Sequence, residues 1–241
     1  MRNSFDARSV EYRRYRPGYP EELCDYVVSR CRLHPGSRVL DVGAGTGKAS
    51  APLVERGIPT VSVEQSLGMS LQGLDADPRL QYVCSNAETL GVASDAFDLV
   101  TSAQSFHLFD HRQALPEFAR ALKPSAFLAV FWYRLDLSFG HTRDINEFLA
   151  SLDPDAERLD QAQGEDWAAL IETSGLFGIV DQRQFRFAVP MTADDWVGLA
   201  RTIPYFRASG EAFERSLRRR LSGYSTIDCP YITDFWLARK V

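Results

Sequence analysis

Glycines 43, 45 and 47, in the run Val39-Leu40-Asp41-Val42-Gly43-Ala44-Gly45-Thr46-Gly47-Lys48, are the residues of this chain best suited to hold a ligand against bare backbone. Glycine reaches left-handed backbone angles and has no Cβ, so a turn built from it lets a bound group approach main-chain atoms. A helix opening near Thr46 aims unpaired N–H groups at whatever sits above that turn. Asp41 stands at the carboxyl end of a strand, where it either accepts loop N–H groups or faces the ligand crevice. Glu64 closes the next apolar run, Thr60-Val61-Ser62-Val63-Glu64, and a carboxylate there can accept both hydroxyls of a ribose.

Spacing separates the glycine loops that share this look. A nucleoside-triphosphate loop needs a first glycine where Val42 stands and a hydroxyl where Ala49 stands, so that reading fails twice. A dinucleotide loop needs a third glycine where Lys48 stands, and a side chain there obstructs close helix–strand packing. A nicotinamide-dependent oxidoreductase is thereby weakened and stays open as an alternative. A third alternative is a catalytically silent protein that keeps the cofactor site.

Further polar residues fall at strand ends. Asn86-Ala87-Glu88 follows a third apolar run, and Asn86 taken by itself reads as a turn former. Gln104-Ser105-Phe106-His107 follows a fourth, and His107 carries the chain's best-placed group for proton transfer near neutrality. Asp110 and His111 read as the cap of the following helix, and no set of acids and histidines has metal-ligand spacing. No metal is expected.

Together these segments resemble the class I S-adenosylmethionine-dependent methyltransferases, within a small-molecule subgroup related to the trans-aconitate and ubiquinone-pathway enzymes. The opening Arg16-Pro17-Gly18-Tyr19-Pro20 matches the same subgroup. By motif the resemblance covers roughly residues 10–133. It implies S-adenosyl-L-methionine as cofactor, held by Asp41, Gly43, Ala44, Gly45, Glu64, Gln65, Met69, Asn86, Ala87, Glu88, Ala103 and Gln104. It also implies in-line methyl transfer to a small molecule, possessing His107 as the base or as a pocket wall. Asn86 replaces the commoner aspartate, and Leu108 replaces a frequent tryptophan. Tyr12, Tyr15, Arg16 and Tyr19 are expected to form a lid over residues 1–19. With Phe106, His107, Tyr133, His141, Trp167 and Tyr205 they are the expected acceptor contacts. Phe139, Trp196 and Phe206 stand in the same elaborations, where a single aromatic is more commonly core.

The elements needed to position these groups are legible as alternating patterns. Apolar runs at Arg38–Val42, Thr60–Glu64, Leu80–Cys84, Phe97–Ser102 and Ala126–Tyr133 read as strands buried on both faces. Helical stretches are expected from Pro20 to Arg32 and over 46–56, 67–76 and 112–122. This alternation argues a doubly wound α/β fold with a mostly parallel sheet. Residues 134–163 read as loose, followed by a helix over Glu165–Thr173 and a strand over Phe177–Val189. Two helices, the first capped by Thr192 and the second over Ala208–Ser222, precede a last strand over Thr233–Arg239. The resemblance makes this a seven-stranded sheet with an antiparallel last strand beside the fifth, residues 20–241 being one domain elaborated at about 134–170 and 190–230.

At 241 residues the chain can bury a large core. Its net charge of -5 gives no basic field for a nucleic-acid backbone, so a nucleic-acid partner is not expected. Lysine occurs only at 48, 123 and 240, leaving arginine to carry most of the 27 basic charges, densest at Arg215, Arg218, Arg219 and Arg220. Cys24, Cys31, Cys84 and Cys229 have neither metal nor disulfide spacing. With no signal-like apolar stretch, the expectation is a cytoplasmic monomer or homodimer, without membrane contact, serving specialised metabolism.

Overall fold

The computed structural model describes residues 6–151, 165–202 and 210–241. In chain order the elements are α1 (Ser9–Tyr15), α2 (Glu21–Arg30), β1 (Val39–Val42), α3 (Ala51–Glu55), β2 (Thr60–Val63), α4 (Leu67–Ala76), β3 (Gln81–Val83) and β4 (Phe97–Ala103). A short 3-10 turn (Phe106–Leu108) leads to α5 (His111–Ala121) and β5 (Leu122–Leu135). Then come α6 (Gly140–Ala150), α7 (Trp167–Thr173), β6 (Phe177–Met191), α8 (Ala193–Thr202), α9 (Gly210–Leu221) and β7 (Ile227–Lys240).

The sheet order is β3-β2-β1-β4-β5-β7-β6. Strands β1 to β5 are parallel, and β7 runs antiparallel to both of its neighbours, from Phe127↔Arg239 to Leu135↔Tyr231 against β5. The fold is therefore the doubly wound seven-stranded sheet expected from sequence. The pleat divides the apolar runs between two cores. Leu40, Val100 and Leu128 face Phe106, Phe118 and Trp167 on one side. Val39, Leu99 and Ala129 face Leu23 and Val27 of α2 on the other. A third cluster, with Tyr133, Trp196, Leu217 and Tyr231, joins α8 and α9 to the far ends of β5 and β7. Among the described residues no helix is long and apolar enough to cross a membrane.

Several boundaries differ from the sequence reading for identifiable reasons. The helix expected over 46–56 shrinks to Ala51–Glu55, because Gly43, Gly45 and Gly47 all adopt positive φ and the chain turns repeatedly before a helix can propagate. Strands β5 and β7 outrun their apolar segments because each pairs with a long neighbour. The stretch read as loose contains α6, and the expected lid segment contains α1. Because β1 leads to β2 on one side and lies beside β4 on the other, a crevice opens at the carboxyl ends of these strands, the usual ligand position in such sheets.

Candidate functional site

The glycine loop is folded back on β2: Gly43 and Ala44 N–H donate to the Val63 carbonyl at 2.9 and 3.1 Å. At Gly43 a Cβ would lie 2.5 Å from the Ser105 side chain, and φ is +69°. Ser105 Oγ in turn donates to the Val42 carbonyl at 2.9 Å, tying the segment after β4 to the loop. Glycine is required here by both angle and space.

Asp41 shares its pleat face with Val39, is fully buried, and is not among the residues that line the crevice. It accepts Ser50 Oγ at 2.6 Å and Thr101 Oγ1 at 2.9 Å. Burial pushes its carboxyl up to about 6, against the pull of those two hydroxyls and with Glu64 adding repulsion. Its observed contacts brace α3 and β4 rather than line the cleft. Glu64, one residue past β2, lines the crevice and accepts Gly45 N–H through Oε2 and Ser66 N–H through Oε1, both at 2.8 Å. Burial raises its pKa, opposed by those amides.

The crevice is a cleft of about 290 Å³. It is lined by Gly43, Ala44, Gly45 and Thr46 of the loop, by Glu64, Gln65 and Met69, by Asn86, Ala87 and Glu88, and by Ala103 and Gln104. Two buried polar atoms in this lining, Thr46 Oγ1 and Asn86 Oδ1, have no hydrogen-bond partner, a costly arrangement in a closed interior. Gln104 holds a positive φ of 61° while its N–H donates to Phe131 O at 3.0 Å and its Nε2 donates to Tyr133 O at 2.9 Å. That unusual backbone marks a locally over-determined lip.

Tyr12, Tyr19 and Tyr133 also line the cleft, the latter two with ring centroids 5.6 Å apart. Arg16 sits behind them, its Nε donating to Thr202 Oγ1 at 2.8 Å and its guanidinium 5.5 Å from the Tyr12 ring centroid. Tyr15, three residues along α1 from Tyr12, does not line the cleft, and its ring packs on Gly198 of α8.

Other expected acceptor contacts lie elsewhere. Phe106 and Trp167 are buried against each other in the core, so their large apolar surfaces are already spent on packing. His107 stands exposed on the 3-10 turn and does not line the cleft, although its neighbours Leu108 and Phe109 do. His141 is engaged by the Asp228 carbonyl at 2.9 Å, and Trp196 is buried in the third core. Tyr205 and Phe206 lie outside the described residues. Asp110 caps α5, accepting Arg112 N–H at 3.1 Å. Among the described residues no cluster of three His, Cys, Asp or Glu side chains is placed to hold a metal ion.

Sequence reasoning missed Thr46, Ser85, Lys48 and Pro17 as cleft residues. Lys48 was visible inside the glycine run, but only as an obstacle to a dinucleotide. It also missed Tyr82, whose hydroxyl donates to Gly45 O at 3.1 Å and steadies the loop from behind.

Residues 40–130, from β1 through most of β5, match the family model described as a methyltransferase domain. An uncharacterized methyltransferase of Mycobacterium tuberculosis is 31% identical over 199 residues, spanning 79% of this chain and 80% of that one. The chain belongs to the methyltransferase family. A demethylmenaquinone methyltransferase of Corynebacterium urealyticum is 32% identical to this methyltransferase over 145 residues, 60% of this chain and 62% of the relative. Solved structures repeat the fold. A putative type II methyltransferase from Anaeromyxobacter dehalogenans superposes with a TM-score of 0.66 at 22% identity, covering 94% of this methyltransferase and 97% of that chain. Phosphoethanolamine N-methyltransferase 2 of Haemonchus contortus, solved with S-adenosyl-L-methionine, superposes at 0.54 with 18% identity, covering 100% of this chain and 57% of that one.

Proposed function

We propose that this methyltransferase moves a methyl group from S-adenosyl-L-methionine to a small-molecule acceptor. The observation that carries the choice of donor is the unpartnered Asn86 Oδ1, buried in the lining of the cleft that Glu64 and Ala87 share. An adenosyl group fits these residues chemically. Asn86 Oδ1 is an acceptor for an exocyclic amine, the Glu64 carboxylate an acceptor for ribose hydroxyls, and Met69 an apolar surface for a purine. When bound, the cofactor supplies a methyl group activated on a sulfonium.

What the chain itself contributes is alignment and exclusion of water, effects that can lower a barrier by about 7–11 kcal/mol. Gln104, pinned to Phe131 and Tyr133, sets the shape of the acceptor side. The rings of Tyr12, Tyr19 and Tyr133 favour an acceptor with an apolar, planar body. The N-terminal segment serves as the lid: Asp6 accepts Ser66 Oγ at 2.6 Å and Gly68 N–H at 2.8 Å, so α1 is fastened to the α4 end of the cleft. Burial raises the pKa of both Tyr19 and Tyr133, which makes them poor bases at neutral pH.

Calorimetry tests the donor. S-adenosylmethionine and S-adenosylhomocysteine are expected to bind at one shared site and NADH not at all, whereas NADH binding without adenosyl-sulfonium binding would overturn the reading. Incubation with methyl-labelled cofactor and a metabolite extract is expected to label a small molecule. Cofactor binding with no acceptor labelled across broad extracts would instead support a silent protein.

A further inference from the structure

The second core, under α2 and α3, contains a pocket of its own. It measures about 210 Å³ and is walled by Leu23, Cys24 and Val27 of α2, Leu53 of α3 and Phe131 of β5. Each of these side chains is buried, and close-packed interiors hold few voids larger than a water molecule. The lining reaches the surface at Glu21 and Glu55, both exposed, which gives a way in. Its other polar groups are already engaged: Thr101 gives its hydroxyl to Asp41 at 2.9 Å, and Arg56 donates to Asp25 Oδ1 at 2.6 Å and Pro52 O at 3.0 Å. Burial pushes the Cys24 thiol up to about 11, so it lines the pocket as a neutral group. None of the buried polar atoms without a partner among the described residues belongs to this lining. An ordered water needs about two to four polar partners, whereas an apolar cavity of about 150 Å³ takes benzene.

Tyr19 and Ala49 line both this pocket and the cleft. The Tyr19 ring stands edge-on to Phe131, a pocket residue, with centroids 4.9 Å apart, and its centroid is 5.6 Å from that of Tyr133, a cleft residue. The pocket gives that ring room to turn away from Tyr133, and a molecule that fills the pocket takes the room away. We infer that the pocket is a second small-molecule site, for a neutral apolar molecule the size of a substituted benzene ring, whose occupant holds Tyr19 against Tyr133 and strengthens binding in the cleft. A protein already held in its binding-competent form takes up ligand at its full intrinsic affinity. The site itself is independent of the donor proposed above, while its effect on the affinity for S-adenosylhomocysteine rests on that donor.

Toluene is the probe. NMR of the full chain with isotope-labelled leucine and valine methyls is expected to show magnetisation transfer from toluene to Leu23, Val27 and Leu53. Val27→Phe fills the pocket and is expected to lose the transfer to Leu23 and Leu53 with its Tm retained. No transfer, transfer only to Leu108 of the cleft or to the exposed Leu67 and Leu71, or undiminished transfer in a folded Val27→Phe would overturn the site. The wild-type chain alone decides it if that variant does not fold. With labelled tyrosine rings, the Tyr19–Tyr133 contact is expected to strengthen on adding toluene. Calorimetry at saturating toluene is then expected to lower the Kd of S-adenosylhomocysteine about fivefold, an effect that Tyr19→Ala abolishes while the transfer to Leu23 and Leu53 remains. An unchanged ring contact, or an unchanged Kd, would overturn the coupling through Tyr19. A strengthened ring contact in a chain that binds no S-adenosylhomocysteine would defeat the donor reading instead and leave the site and its coupling standing.

Discussion

Asp41 lies within β1 and Glu64 one residue past the end of β2, and the two meet different partners. Both are strand-end carboxylates, yet one is turned inward onto Ser50 and Thr101 and the other onto the loop amides that face the cleft. The inward one has a consequence for stability. A free carboxylate titrates near 3.9, whereas Asp41 titrates at about 6 in the folded chain. The folded state therefore holds the proton more tightly. The stabilisation is complete below the unfolded pKa and is lost as pH rises through the folded one. A shift of this size corresponds to about 3 kcal/mol. Denaturant unfolding of the wild type is expected to show stability falling between pH 4 and 7, and Asp41→Asn is expected to flatten that fall. Parallel profiles would show that Asp41 is not its source.

At the scale of elements, the N-terminal segment is a strap between α4, whose Met69 lines the cleft, and α8. Asp6 grips the start of α4, while Tyr15 seats on Gly198 and Arg16 reaches Thr202, both in α8. Gly198 is needed for contact rather than for its backbone angle, since a Cβ there would run into the Tyr15 ring. Gly198→Ala adds helix propensity of about 1 kcal/mol to α8 but overpacks the seat by about 1–3 kcal/mol. The expected result is faster proteolysis within residues 6–19 and weaker S-adenosylhomocysteine binding, with the sheet core unfolding at nearly its original temperature. Unchanged proteolysis and affinity would show that α1 has no part in closing the cleft.

Across the whole molecule, the cleft gathers the glycine loop, the ends of β2 and β4, the segment after β3 and α1 around one volume. These parts are joined in the native state alone, so a ligand that fills the cleft binds the folded chain and not the unfolded one. At a hundredfold excess over its Kd, S-adenosylhomocysteine is expected to stabilise the protein by about 2.7 kcal/mol, read as a rise in Tm that continues with concentration. NADH at the same concentration is expected to leave Tm unchanged, and a rise equal to that with S-adenosylhomocysteine would contradict the adenosyl-sulfonium assignment.

The sequence by itself determined what depends on neighbours along the chain. Glycines at 43, 45 and 47 specify a turn, apolar runs specify buried strands, and acids or amides just past those runs fall at the crevice. That is why Glu64, Asn86 and Gln104 were legible as cleft residues. Tertiary structure decided what depends on direction and on distant partners. The hydroxyls of Ser50 and Thr101, distant in sequence from one another, claimed Asp41, and the tight turn after β4 left His107 outside while its neighbours Leu108 and Phe109 line the wall. Phe106 and Trp167 were claimed by the core because burying both rings releases more apolar surface than exposing either to a ligand. The insertion of β7 between β5 and β6 and the seating of α1 on α8 join residues more than a hundred positions apart. No local pattern encodes such pairings.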